Sequence, residues 1–157
     1  MTSQRKPIIA VVGASKCSKK LRDMAALAGK HIAESGGILV CGGMGGIMEG
    51  AARGAKEGDG ITIGILPTTD RSDANPYIDF PIPTGFGEAR NLLVVRTADA
   101  VLAFPGKFGT LSEMAFALQA RKPVVSISAW KLGEEIVQMQ DPLEAAEKVM
   151  ALARESM

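Results

Sequence analysis

Residues 101–118 read VLAFPGKFGTLSEMAFAL. An apolar run, 101–104, stops at Pro105; Gly106 and Gly109 bracket Lys107 and Phe108; then Thr110-Leu111-Ser112-Glu113 opens a segment of helical period. The order is strand, turn, helix, and it recurs outward in both directions. The runs IIAVV (8–12), ILVC (38–41), ITIGIL (61–66) and VVSIS (124–128) do not alternate with polar residues, which suits strands covered on both faces. YIDFPIP (77–83) is expected to add one more. Between the runs, apolar periodicity predicts helices over 19–35, 47–56, 88–97, 110–120 and 142–155. Gly36-Gly37 stops the first, and Asp141-Pro142 starts the last with a cap and a first-turn proline. Strand and helix in alternation make an α/β protein: three layers, a parallel sheet flanked by helices, expected as a single domain over 1–157.

Bulk composition narrows the function. Eighteen basic and 17 acidic residues nearly cancel, so total charge points neither to nucleic acid nor to an acidic membrane. Cys17 and Cys41 form no CxxC pair and have no neighbouring histidine, so no metal site is expected. His31 sits at the edge of an apolar helix face and reads as structural. Arg5 and Lys6 precede a run too short for a signal sequence, no stretch reaches the length of a membrane span, and a cytoplasmic protein is expected.

In open parallel sheets, ligands bind beyond the carboxyl ends of strands, so the turns after strands carry the functional question. The first, Gly13-Ala14-Ser15, leads into ASKCSKK and fails as a P-loop, because Ser18 stands where a second glycine is needed. Its backbone amides remain candidates for ligand contact. The second, CGGMGGIM, places Gly42, Gly43, Gly45 and Gly46 just before a helix, either for close backbone approach to an anion or for tight helix–strand packing. It does not fit G-x-G-x-x-G, and Leu66-Pro67 supplies no acidic residue for a ribose diol, which argues against NAD. PTTDRSDANP (67–76) is long enough to be a flap or a plain surface loop. In PTGFGEARN, Thr84 and Gly85 are candidate ligand contacts. Arg90 falls in the first turn of a helix, against the macrodipole, which suggests either an anionic partner or an exposed cation. Thr110 to Glu113 fits a capping box, with Thr110 as N-cap and Glu113 three residues on. The glycines at 106 and 109 suggest in addition a phosphate cradle formed with Lys107, Phe108 and Thr110.

Taken together, CGGMGGIM and EARN…ADAVLAFPGKFGTLSE resemble the LOG-like superfamily of Rossmann-type proteins, over roughly residues 8–128. Its LONELY GUY members are cytokinin-activating phosphoribohydrolases with GGGxxGLM and PGGxGTxxE motifs. The resemblance implies a Rossmann-like fold, Arg90 and Glu113 as the catalytic pair, and Gly106, Gly109 and Thr110 as the phosphate turn. In that role Arg90 would hold Glu113 ionised and in place, or contact the ligand. Two departures, Lys107 for the second glycine of PGG and Asn91 for a lysine, bring the chain nearer a branch related to DprA and to molybdenum cofactor carriers, whose ligand is a phosphorylated pterin.

The leading expectation is therefore a protein that binds a phosphorylated nucleotide-like molecule, with molybdenum cofactor a candidate ligand and no resident cofactor required. The alternative is a hydrolase that cleaves the N-glycosidic bond of a nucleoside 5′-monophosphate. A DprA-like single-strand DNA binder would need a basic groove with stacking aromatics, whereas Trp130 and Tyr77 lie far apart in sequence. Family resemblance and the apolar Leu111, Met114, Phe116 and Leu118 imply a homodimer or homotetramer.

Overall fold

The computed structural model describes residues 5–157. Its strands are β1 (Ile8–Val12), β2 (Ile38–Cys41), β3 (Thr62–Leu66), β4 (Phe80–Pro83), β5 (Ala100–Ala103), β6 (Val124–Ile127) and β7 (Val137–Met139). All pair in parallel, in the order β4-β3-β2-β1-β5-β6-β7. The helices are α1 (Lys19–Glu34), α2 (Ile47–Glu57), α3 (Arg90–Thr97), α4 (Phe108–Gln119) and α5 (Pro142–Glu155). This is the α/β, Rossmann-like architecture expected. The runs at 8–12 and 38–41 and the helix at 142–155 have their expected bounds. β7 carries no sequence signal, because it is three residues long, at the sheet edge and only partly buried.

Side chains of a strand alternate faces, and the two cores follow from that. Ile9 and Val11 join residues of α1, α2 and α5 in one apolar cluster. Ala10 and Val12 join Val94, Val95, Met114 and Ala117 of α3 and α4 in the other. Met114 is fully buried, and Phe116 and Leu118 pack against the second cluster, so these apolar residues of α4 find partners within the chain. No helix among the described residues is long and apolar enough to cross a membrane.

α1 and α2 approach closely because three glycines lie between them. A Cβ on Gly54 would collide with the Ala26 carbonyl, one on Gly29 with the Ala51 carbonyl, and one on Gly50 would stand 2.5 Å from the Arg22 carbonyl. Alanine normally favours a helix over glycine by about 1 kcal/mol. Here the backbone collision reverses the sign: Gly54→Ala is expected to lower unfolding stability by about 1–3 kcal/mol, measured by urea denaturation. A stabilised variant would show that the helices can part without cost.

Candidate functional site

β1 and β5 are neighbours, but the helices that follow them leave on opposite faces, α1 with one core and α4 with the other. A crevice must open where the chain diverges. It holds a cavity of about 300 Å³, at the lower end of the range for small-molecule pockets. Gly13, Ala14 and Ser15 line it from the first turn, Arg90 from α3, and Lys107, Gly109, Thr110 and Glu113 from the turn and helix after β5. These are residues singled out from the sequence, now brought together. Lys16, Met48, Glu88 and Asn91 also line it. Each lies within a motif already noted, but only the fold aims it inward.

The first turn is a clamp as well as a wall. The Ala14 amide, expected to be free, donates to the Pro105 carbonyl at 2.9 Å, and the Ala14 carbonyl accepts from the Ile47 amide at 3.0 Å. β1, β5 and the start of α2 are thereby tied at one residue. Gly106 is needed for the same junction: a Cβ there would fall on the Thr110 hydroxyl and stand 3.0 Å from the Ala14 nitrogen.

The four glycines of CGGMGG stand behind the cavity wall, outside its lining. Gly46 has φ +63°, and a Cβ would collide with the Ala14 carbonyl. At Gly42 the obstacle is functional: a Cβ would occupy the place of the Arg90 guanidinium and come within 2.6 Å of the Met48 sulfur. Gly42 is the seat of Arg90. Thr84 and Gly85 likewise lie outside the lining; the Thr84 hydroxyl donates to the Leu66 carbonyl at 2.6 Å. The loop after β3 is pinned to the glycine turn, with Asn75 donating from its amide to Gly43 at 2.9 Å and from its side chain to Met44 at 2.8 Å. None of its residues lines the cavity.

Arg90 begins α3 and runs inward rather than to solvent. Its Nε is buried without a hydrogen-bond partner among the described residues, an expensive state for a guanidinium donor. Glu113 is 7% exposed. Among the described residues no Arg90–Glu113 ion pair forms, yet each feels the other's charge. Burial pushes the Glu113 carboxyl up to about 8, against the opposing pull of Arg90. Burial also draws the Arg90 pKa down, opposed by Glu113, Cys41 and Glu88. Burial therefore works against the ionised carboxylate expected, because desolvation exceeds what an unpaired arginine returns.

The start of α4 corrects a second expectation. Thr110 is not the N-cap; the helix begins at Phe108, Lys107 occupies the cap position, and no side chain caps it. Glu113 turns to the cavity, so the capping box does not form. The Leu111 amide is the first to close an intrahelical bond, to the Lys107 carbonyl at 3.0 Å. The amides of Phe108, Gly109 and Thr110 are left without a partner among the described residues. Asn91 braces this turn from α3: its side chain donates to Ser112 Oγ at 3.3 Å, and Ser112 Oγ donates to the Gly109 carbonyl at 2.6 Å. Trp130 holds it from the other side, its indole N–H donating to the Lys107 carbonyl at 3.1 Å.

The sequence profile of the SLOG cluster4 family matches residues 6–155. The chain belongs to that family. An uncharacterized protein of Archaeoglobus fulgidus is 38% identical over 87% of this chain and 90% of its own length. A probable cytokinin riboside 5′-monophosphate phosphoribohydrolase of Oryza sativa is 30% identical over 71% of this chain, which spans 46% of the rice protein. Among solved structures, the molybdenum cofactor binding protein of Rippkaea orientalis has a TM-score of 0.87 at 35% identity, covering 95% of this chain and 98% of that one. The molybdenum cofactor carrier protein of Chlamydomonas reinhardtii has a TM-score of 0.82 at 35% identity, covering 96% and 99%.

In this SLOG protein the raised Glu113 pKa makes folding pH-dependent. The folded state holds a proton that the unfolded state has released, so stability is full below about 4.5 and falls as pH rises through about 8. Glu113→Gln removes the titration. The variant is expected to exceed the parent in stability at pH 8.5 by up to a few kcal/mol and to match it near pH 5. Parallel pH dependences in denaturant melts would refute a buried acid at this position.

Proposed function

We propose that this protein binds a phosphorylated nucleotide-like molecule in the β1/β5 crevice, with its phosphate on the amides of Gly109 and Thr110. The observation that carries the reading is the uncapped first turn of α4. Its amides and its helix dipole attract an anion, and they face a cavity rather than the chain's own oxygens. The lining carries Lys16, Arg90 and Lys107 against Glu88 and a Glu113 whose charge burial disfavours, an excess of positive charge. That excess suits the dianion of a phosphomonoester better than the single charge of a diester. Among structural neighbours the named ligand is molybdenum cofactor, a phosphorylated pterin, so a nucleoside monophosphate and a phosphorylated pterin are the two ligands of first choice.

A second reading, phosphoribohydrolase, is favoured by the convergence of Arg90 and Glu113 on one cavity. A protonated Glu113 would donate to the departing base as the N-glycosidic bond breaks, water would add at the anomeric carbon and lose its extra proton to solvent, and Arg90 would hold the substrate's negative charge.

Calorimetry with AMP and a phosphorylated pterin tests the first reading. Arg90→Ala and Gly42→Ala are both expected to weaken binding, the former by about 10- to 100-fold and the latter by displacing the same guanidinium, each with the circular dichroism of the parent. Parent protein that binds no member of the pair would refute it. Release of ribose 5-phosphate from nucleoside monophosphates, lost in Glu113→Gln, would establish the hydrolase; binding without release across a panel would exclude it.

A further inference from the structure

α4 opens with a phenylalanine that the fold leaves in solvent. Phe108 is 78% exposed and belongs to neither apolar cluster. A chain with five phenylalanines, one tyrosine and one tryptophan has spent two of its seven aromatics at this spot, because Phe108 stacks on Trp130 with ring centroids 6.3 Å apart and planes 21° from parallel. Trp130 is anchored: its ring packs against the core formed with α3 and α4, and its N–H is bound to the Lys107 carbonyl at 3.1 Å. The pair is thus a fixed surface, not a loose side chain.

Its position relates it to the cavity. Phe108 itself lies outside the lining, at the edge of the site: Lys107 and Gly109, on either side of it, both line the cavity, and the unpartnered amides of Gly109 and Thr110 follow directly. In a helix the Cα–Cβ bond leans toward the N-terminus, so the first residue of α4 leans toward the end where an anion would sit. An exposed aromatic face beside an anion site has the form used to hold a base by stacking, which accepts any planar heteroaromatic ring.

We propose that Phe108, backed by Trp130, is the shelf on which the ring of the ligand stacks while its phosphate rests on the first turn of α4. This rests on the anion-binding reading above and deepens it by assigning the residue that would distinguish a ring-bearing phosphomonoester from a bare sugar phosphate. Phe108 is then a specificity-determining residue.

Trp130 is the only tryptophan, so its fluorescence reports on the shelf directly. The parent protein, Phe108→Ala and Phe108→Tyr are titrated with AMP, GMP and a phosphorylated pterin, with ribose 5-phosphate as the ring-less probe. At least one ring-bearing probe is expected to change Trp130 emission and to bind more tightly than ribose 5-phosphate. In Phe108→Ala the ratio of the two affinities should fall by roughly 5- to 150-fold, and Phe108→Tyr should restore it. Equal affinity of the parent for every phosphate, or an unchanged ratio in Phe108→Ala, overturns the shelf and leaves the anion site standing. No binding of any probe, ribose 5-phosphate included, overturns both. A change of oligomeric state in Phe108→Ala at constant affinity ratio would make Phe108 an intersubunit contact and likewise overturn the proposal.

Discussion

Two adjacent parallel strands whose helices depart to opposite faces cannot close the space between their carboxyl ends. β1 and β5 are that pair, and nearly every feature of the site is a response to the gap. The Ala14–Pro105 hydrogen bond stitches its base. Gly13 and Gly106 keep side chains out of the stitch, since a Cβ on either would strike Ile47 or Thr110. What remains open is a hollow with backbone donors on one side and an arginine at depth. A helix end is usually satisfied by a side-chain cap or by water; α4 has no cap, and Gly109 and Thr110 of its first turn line this hollow.

Arg90 and Glu113 illustrate how burial without contact differs from a salt bridge. A direct pair would have kept the carboxyl ionised and satisfied the guanidinium. Held apart, the acid has a raised pKa and Arg90 Nε lacks a partner among the described residues. Both groups carry a desolvation cost that the protein alone does not offset. Perturbed ionisable groups of this kind collect at functional sites, because a ligand supplies the missing interaction. This chain is similar to proteins that bind or carry molybdenum cofactor and, more distantly, to a probable phosphoribohydrolase.

The architecture was legible because its signal is local. Unalternating apolar runs mark strands buried on both faces, and Asp141-Pro142 or Gly36-Gly37 mark helix ends by rules that involve only a few adjacent residues. Motif residues such as Arg90, Gly109 and Glu113 were legible for the same reason. The errors came where a local rule had a tertiary competitor. Thr110-x-x-Glu113 satisfies the capping pattern, but the helix starts two residues earlier, with Thr110 packed against Gly106 and Glu113 drawn into the cavity. The Ala14 amide belongs to a tight turn that reads as open, yet the carbonyl of Pro105, 91 positions away, accepts its hydrogen bond.

By itself, then, the amino-acid order determined that this chain builds a parallel sheet between helices and marked the turns after its strands as the places to look for a site, since periodicity and punctuation act over a turn or two of chain. Only the tertiary structure decided which glycines face the hollow and which serve as its masonry, that a side chain at Gly42 would displace Arg90, and that burial raises the Glu113 pKa. Those properties depend on distances between residues remote in sequence and on the water excluded around them, and neither quantity is written in any local pattern.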